Sequence, residues 1–299
     1  MNAPDAENLL DAAQGFKARA IALLRAAGFF VIAVALGFGL VVAAKKLFGP
    51  LNFDKAPGLH FLIPAEFALA LATVIVPSAI MALITREPAV RFGFGRAHRF
   101  GHLMLGIATG LGAMSALIGL IALFGGVSRL SVAPLGEAAA LNGAGYAVTF
   151  AFVAIAEEGP LRGYGLVQLS RALSFWPAAI VTSLVFVVLH LGHKTESQIG
   201  LAQVGIIGLI LAYSFYRTGA LWFALGCHAA WDFAETYVYG VPDSGMTSPG
   251  ALSTVTLNGP AWLTGGVTGP EASWLVFVAL AAMAIVVRFA LPRMADRGI

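Results

Sequence analysis

The sequence predicts an all-α fold, a polytopic membrane helix bundle with about eight transmembrane helices and a polar intramembrane cavity. Hydrophobic residues make up 59% of the 299 residues and charged residues only 11%, roughly half the charged share of a soluble domain. Apolar segments of membrane length recur along the chain, and the mean hydropathy is +0.86. Some of these segments also carry ionisable residues, which need a partner or a polar cavity at membrane depth.

The apolar segments define the predicted spans, since crossing a bilayer takes about 20 residues. We expect spans at approximately 26–44, 61–84, 102–124, 139–161, 175–192, 198–216, 219–235 and 273–291. The fifth and seventh are short and hold polar residues, so we expect them to contact protein more than lipid. The single cysteine, Cys227, excludes an internal disulfide and is expected to be a small packing residue.

The positions of the basic residues predict that both termini are cytoplasmic. With the N-terminus inside, twelve Lys and Arg residues fall on the inner side and five on the outer side, as the positive-inside rule requires. The 236–272 loop holds no Lys or Arg, which suits an outer location. Its Gly, Pro, Ser and Thr residues predict turns, so we expect this loop to cap the outer face.

An acidic pair inside the fourth span is the most informative feature of the chain. Glu157 and Glu158 are followed by Gly159, Pro160 and Arg162. Glu158 and Arg162 have the i,i+4 spacing at which a Glu–Arg pair meets on one helix face, so we expect Glu158 to neutralise Arg162. Glu157 is then left to face a cavity, where a desolvated carboxylate suits a general base. Pro160 is expected to kink the helix beside the pair. A buried ion network that only locks helices together is the structural alternative.

Two later spans carry histidines. His190 stands near the end of the fifth span, and His193 is more consistent with the water interface. His228 and Asp232 are four residues apart and share a helix face, and Glu235 lies on the same stripe. Asp232 could hold the imidazole in one tautomer, as a carboxylate does for a catalytic histidine. A polar clamp between helices is the alternative for this pair.

Taken together, these patterns resemble a known family. The motifs Glu-Glu-x-x-x-Arg, Phe-x-x-x-His and His-x-x-x-Asp occur in this order on three spans, within roughly 140–235. They resemble the CPBP family, the CAAX protease and bacteriocin-processing family of intramembrane proteases related to type II CAAX prenyl endopeptidases. Each motif alone is weak, and the specificity comes from their order, their spacing and their place in spanning segments.

The resemblance implies a roughly eight-helix fold in which a glutamate-activated water attacks a peptide carbonyl. By motif position, Glu157 is the general base, His190 helps to hold the water, and His228 with Asp232 stabilises the oxyanion. Glu158 and Arg162 take supporting positions. The chain departs from the prenyl endopeptidases at Asp232, where they carry Asn. An ionised Asp cannot donate to an oxyanion, so Asp232 is either protonated or acts by orienting and charging His228.

Three other functions compete with the glutamate peptidase, for which no cofactor is expected. Zinc could bind Glu157, His190 and His228 in a membrane metalloprotease, although the chain lacks His-Glu-x-x-His. A non-catalytic membrane scaffold or immunity protein could keep the polar cavity for binding. A proton-coupled transporter also buries such groups, but the acidic motif is not repeated in an inverted half of the chain.

The expected organisation follows from these assignments. We expect a cytoplasmic segment at 1–25, which could include a short interfacial helix, and N-terminal spans at 26–135. A CAAX-protease-like catalytic core is expected at 136–235. An extracytoplasmic loop at 236–272 and a last span with a cytoplasmic tail at 273–299 follow. The expected partners are the lipid bilayer and a peptide or protein substrate in or at the membrane. The formal charge of +3 is too small to indicate nucleic acid. The expected location is a bacterial inner membrane.

Overall fold

A computed structural model describes residues 15–48, 58–88, 92–95, 98–191 and 197–292. Helices dominate these ranges, and their one sheet has two strands. The predicted all-α class is therefore confirmed. His193, which the sequence places near a water interface, lies outside the described residues.

The helices fall into two groups along the chain. The first group is α1 (Phe16–Phe48), α2 (Leu59–Ala70), α3 (Val76–Thr85), α4 (Arg99–Leu123), α5 (Glu137–Glu158) and α6 (Leu166–Leu173). The second is α7 (Phe175–His190), α8 (Gln198–Thr218), α9 (Trp222–Phe233), α10 (Ala261–Thr264) and α11 (Val276–Ala290). Wide π-helical turns at Leu71–Ile75, Gly159–Gly165 and Ala234–Val238 follow α2, α5 and α9. The strands are β1 (Val127–Val132) and β2 (Ser253–Leu257).

Each predicted span coincides with a helical stretch. Five stretches are long and apolar enough to cross a membrane: Phe16–Leu47, Leu59–Thr85, Arg99–Leu123, Glu137–Leu173 and Gln198–Thr218. The α7 and α11 helices are shorter and apolar. The first helix begins at Phe16 rather than near residue 26. The remainder of the segment predicted to include an interfacial helix, residues 1–14, lies outside the described residues.

The outer surface of the bundle is strongly apolar. Phe38, Leu83 and Val188 expose 70%, 82% and 62% of their surface, and they lie on three different helices. Large contiguous apolar surfaces are rare on soluble monomers and mark contact with a membrane or another protein. Together with the length of the helices, this surface identifies an integral membrane protein.

Glycines allow α4 and α9 to pack with their backbones in contact. A Cβ atom on Gly106 would overlap the carbonyl of Phe223, and one on Gly110 would overlap the carbonyl of Cys227. On the other side, a Cβ on Gly226 would overlap the carbonyl of Leu103. Small residues four apart permit such close helix crossings in membranes. The buried Cys227 lies in this contact, as expected of a packing residue.

A small sheet and a folded segment close one end of the bundle. Strand β1 pairs antiparallel with β2, with Leu130 opposite Val255 and a bulge between Val127 and Arg129. The hydroxyl of Tyr146 on α5 donates to the carbonyl of Pro249 at 2.6 Å. We call residues 239–272 the cap, because they cover this end of the bundle. The sheet joins the two loops that the charge distribution assigns to the same side of the membrane.

The opposite end of the bundle is held by an ion-pair network. Glu87 accepts from Arg25 at 2.7 Å and from Arg171 at 2.9 Å, which links α1 and α6 to the segment after α3. Arg25 and Arg171 are both inner residues in the predicted topology. The structure therefore agrees with the relative arrangement of the ends, while the side that faces the cytoplasm stays a prediction.

Candidate active site

A cavity of about 320 Å³ lies between the helices and the cap. Glu157 of α5, His190 of α7, and His228 and Asp232 of α9 all line it. The sequence predicted these four residues as the catalytic group, and the structure brings them together from three helices. The side chain of Glu157 is the most accessible of the acidic pair, with 35% exposed.

The helix that carries the acidic pair changes geometry directly after it. The α5 helix ends at Glu158, and the π-helical turn Gly159–Gly165 follows, with a non-helical backbone at Gly163 (φ −87°, ψ −106°). A Cβ on Gly159 would lie 2.7 Å from the Val74 side chain, so only glycine fits against the π-turn after α2. The predicted break at Pro160 is therefore present as a widened, fully buried turn.

The ion pair predicted from the i,i+4 spacing is present and fully buried. Arg162 Nη1 donates to Glu158 Oε1 at 3.1 Å, and both side chains are 0% exposed. A glycine makes room for the guanidinium, because a Cβ on Gly208 would lie 2.6 Å from Arg162 Nη2. Removing one partner of such a pair leaves an uncompensated buried charge, which costs about 3–5 kcal/mol.

Phe186 connects Arg162 to His190. The guanidinium carbon of Arg162 lies 4.3 Å from the centre of the Phe186 ring, a cation–π distance. On the same ring, His190 packs edge to face with centroids 4.5 Å apart. His190 Nδ1 donates to the Phe186 carbonyl at 2.9 Å. Because a carbonyl only accepts, this bond fixes the orientation of the His190 ring at the cavity.

His228 is surrounded by carboxylates. Its Nδ1 lies 2.9 Å from Glu158 Oε1. Its Nε2 lies 3.4 Å from Asp232 Oδ2 and 3.6 Å from Glu157 Oε2. A carboxylate at Nδ1 holds the ring in a fixed orientation with a proton on that nitrogen. The imidazole therefore joins both members of the acidic pair to Asp232.

Sequence reasoning missed several parts of this site. The contact between Glu158 and His228 joins two helices, so no local spacing signals it. Glu66 of α2 and Gln203 of α8 also line the cavity, and neither belongs to a recognised motif. Phe186 belongs to the Phe-x-x-x-His motif, but nothing in that motif predicts its contact with Arg162. Only Glu66 carries a signal in the sequence that indicates a polar cavity, because it is an acidic residue inside a predicted span.

One predicted grouping turns out differently in space, and the alternative zinc set stays a prediction. Glu235 shares the helical stripe of His228 in the sequence, but it is fully buried beside Asp243 and Glu271 of the cap. The zinc alternative from the sequence uses Glu157, His190 and His228. These three side chains do not bring one ligand atom each within 4.8 Å of one another, whereas Glu235, Asp243 and Glu271 do so within the described ranges.

Comparison with known families gives one finding. Residues 140–234 match the family model described as Type II CAAX prenyl endopeptidase Rce1-like. The resemblance predicted from the three motifs is thereby confirmed over those residues, which hold all the candidate catalytic side chains. The match supports a CAAX-type intramembrane peptidase acting on a peptide or protein substrate at the membrane. No match was found among curated proteins.

Proposed function

We propose that this protein is an intramembrane endopeptidase in which Glu157 activates a water molecule for attack on a peptide bond. One observation carries the proposal. Glu157, His190, His228 and Asp232 line a single cavity between the helices, and His228 Nε2 lies within 3.6 Å of both Glu157 and Asp232. Such a group combines a proton acceptor with a donor able to stabilise negative charge.

In the proposed reaction, Glu157 first accepts one proton and later donates it. The Glu157 carboxylate takes a proton from a water that His190 Nε2 helps to orient. The resulting hydroxide attacks the carbonyl carbon of the scissile peptide. The carbonyl oxygen then becomes negatively charged. The Nε2–H group of His228 donates a hydrogen bond to that oxyanion. The protonated Glu157 then transfers its proton to the leaving nitrogen, the C–N bond breaks, and an acid and an amine are released.

Asp232 acts on the substrate through His228 in this proposal. Its Oδ2 lies 3.4 Å from His228 Nε2, and Glu158 holds Nδ1 on the other side of the ring. A carboxylate beside an imidazole fixes its orientation and stabilises the imidazolium. The departure from Asn in the resembling endopeptidases is then a change from a direct oxyanion donor to a group that charges the donor.

The glutamate mechanism is favoured here over the zinc mechanism. A catalytic zinc takes three protein ligands at about 2.0–2.2 Å and keeps one open position. Its ligand atoms therefore lie within about 4.4 Å of one another. Glu157, His190 and His228 do not meet even a 4.8 Å separation. We propose no cofactor for the reaction.

The proposed location is a bacterial inner membrane with both termini in the cytoplasm. The positive-inside distribution of basic residues supports this orientation. Arg25 and Arg171 meet at one end of the bundle, and Arg129, which the rule assigns to the other side, lies in the sheet at the other end. The cap would then face the extracytoplasmic side.

The test compares new peptide termini in membranes from cells that express the wild type or Glu157→Gln at matched levels. Termini found only with the wild type establish proteolysis and identify a substrate. Glu137→Gln is the matched control, because Glu137 is an exposed carboxylate at the other end of α5. Equal sets of termini from the wild type and a well-folded Glu157→Gln would contradict the proposal and favour a binding or immunity protein.

A further inference from the structure

A second acidic group lies where α9 meets the cap, apart from the proposed catalytic residues. Glu235 comes from the π-helical turn after α9, and Asp243 and Glu271 come from the cap. One carboxylate oxygen from each of the three lies within 4.8 Å of the other two. Asp243 and Glu271 also line the cavity.

The environment of Glu235 indicates a bound ligand. It is 0% exposed, and neither carboxylate oxygen accepts a hydrogen bond from the described residues. The indole N–H of Trp231 lies beside it without hydrogen-bond geometry. Its neighbours in the group are two more carboxylates. Three carboxylates this close repel one another unless a cation or protons neutralise them, and a buried charge without compensation is strongly destabilising.

The other two carboxylates are held in position by the chain. Thr236 Oγ1 donates to Asp243 Oδ2 at 3.0 Å. Ser244 donates to Glu271 Oε1 from its backbone N–H at 3.1 Å and from its hydroxyl at 2.8 Å. Hydrogen bonds of this kind orient carboxylate ligands in metal sites. The group is therefore assembled and oriented, with a buried and uncompensated carboxylate directed into it.

We propose that Glu235, Asp243 and Glu271 form a binding site for a hard divalent cation of the Ca²⁺ type. Ca²⁺ takes oxygen ligands at about 2.3–2.6 Å, so two ligands of one ion lie at most about 5 Å apart. The 4.8 Å separation satisfies that limit. The trio offers only oxygen atoms, which excludes the nitrogen and sulfur ligands that zinc favours. Three carboxylates also exceed the one or two that Mg²⁺ sites use.

The bound ion would connect the catalytic helix to the cap. Glu235 stands three residues after Asp232, while Asp243 and Glu271 are 28 residues apart along the cap. A cation shared by all three joins the end of α9 to two points of the segment that closes the cavity. The expected role is to hold the cap over the cavity and to fix the end of α9 that carries Asp232. The ion takes no part in the proposed peptide hydrolysis.

The test measures binding directly on the purified full chain in detergent. After treatment with EGTA, the wild type is titrated with ⁴⁵Ca²⁺ and its melting temperature is recorded with and without added CaCl₂. We expect about one ion per chain and a melting temperature several degrees higher with Ca²⁺, since a ligand bound only by the folded state stabilises it. MgCl₂ should have a weaker effect, and ZnCl₂ should not displace the bound ⁴⁵Ca²⁺.

Two substitutions separate this site from the catalytic group. Glu271→Gln and Asp243→Asn keep the size of each side chain and should each weaken ⁴⁵Ca²⁺ binding at least tenfold. Glu157→Gln should bind the ion like the wild type, which also excludes the catalytic carboxylates as its location. Binding is read without any cleavage assay, so failure of the proposed protease function would leave this result standing.

Three outcomes would overturn the proposal. Absence of ⁴⁵Ca²⁺ binding to the folded, EGTA-treated wild type would do so directly. The melting temperature could also be unchanged by Ca²⁺ and fall as the pH rises. That result would show that shared protons, not a cation, neutralise the three carboxylates. Full ⁴⁵Ca²⁺ binding by both Glu271→Gln and Asp243→Asn would place the ion elsewhere on the protein and would also contradict the site.

Discussion

His228 Nδ1 lies 2.9 Å from Glu158 Oε1, and 70 positions in the chain separate the two residues. Glu158 Oε1 also accepts from Arg162, so one buried oxygen holds both a cation on its own helix and the imidazole of another. Glu158 therefore does more than neutralise Arg162. It fixes the ring whose other nitrogen faces Glu157 and Asp232, and it ties the acidic motif to the histidine motif.

Replacing Glu158 should destabilise the protein before it affects the chemistry. Glu158→Ala leaves Arg162 buried without its carboxylate, which we expect to cost about 3–5 kcal/mol. Folded yield and melting temperature in detergent measure this loss. In Glu158→Ala/Arg162→Met the stranded charge is absent, so part of the melting temperature should return. A normal melting temperature for Glu158→Ala would contradict the ion-pair interpretation.

Replacing Glu157 should lower activity and leave the stability of the protein nearly unchanged. The side chain faces the cavity with 35% of its surface exposed, and Gln has nearly the same shape. Glu157→Gln should therefore keep the melting temperature within about 1 °C of wild type, because substitutions outside tightly packed sites cost little. Cleavage should fall by a factor on the order of 10²–10⁴, the usual contribution of a general base. Retained cleavage would remove Glu157 from the mechanism.

The role of Asp232 is tested by two substitutions that differ in what they leave beside His228. Asp232→Ala removes the carboxylate that lies nearest to His228 Nε2 and should lower kcat by about 10²-fold, as loss of a positioned acid–base partner does. Asp232→Asn keeps an amide there and restores the residue of the resembling endopeptidases, so it should retain more activity than Asp232→Ala. Equal activities for the two variants would show that the side-chain polarity at this position is irrelevant.

The contact between α4 and α9 is tested by the same substitution at two glycines. Gly110→Ala places a methyl group against the Cys227 carbonyl and 2.9 Å from the Trp231 backbone nitrogen. We expect it to cost about 1–3 kcal/mol, as overpacking does, and to lower activity, because α9 carries His228. Gly112→Ala is the control, since a Cβ there meets nothing within 4 Å. A lowered melting temperature for Gly112→Ala as well would implicate helix flexibility instead of the contact.

Phe186 should contribute to both stability and activity. Phe186→Leu keeps an apolar side chain but removes the ring that faces Arg162 at 4.3 Å and His190 at 4.5 Å. The lost cation–π contact is worth about 1–2 kcal/mol in a desolvated site, so the melting temperature should fall. A drop in kcat with an unchanged KM would indicate that His190 loses its orientation. Val188→Leu, on the exposed face of the same helix, is the matched control.

The spans and the order of the site motifs could be read from the sequence because they depend on local composition. Hydropathy over about 20 residues reports whether a segment can enter lipid. The i,i+4 rule reports which side chains share a helix face. These two rules were enough to predict the eight helical stretches and the pair of Glu158 with Arg162, and the missing backbone N–H of proline predicted the break at Pro160.

Other features depend on residues that are distant in the chain. The sheet between β1 and β2 was not predicted, because each strand is short and gains its hydrogen bonds only from the other. Glu235 was assigned to the face of His228 by its spacing of seven. The π-helical turn that begins at Ala234 alters that register, and Glu235 lies instead with Asp243 and Glu271.

The sequence by itself determined that the chain enters a membrane, where its helices lie, and which ionisable residues they carry into it. The reason is that water–lipid partition and helical spacing act over a few turns of chain. Only the tertiary structure decided which of those residues meet, because packing through glycines such as Gly110 and Gly208 sets the distances between helices. The link between Glu158 and His228 and the acidic group under the cap both come from that packing.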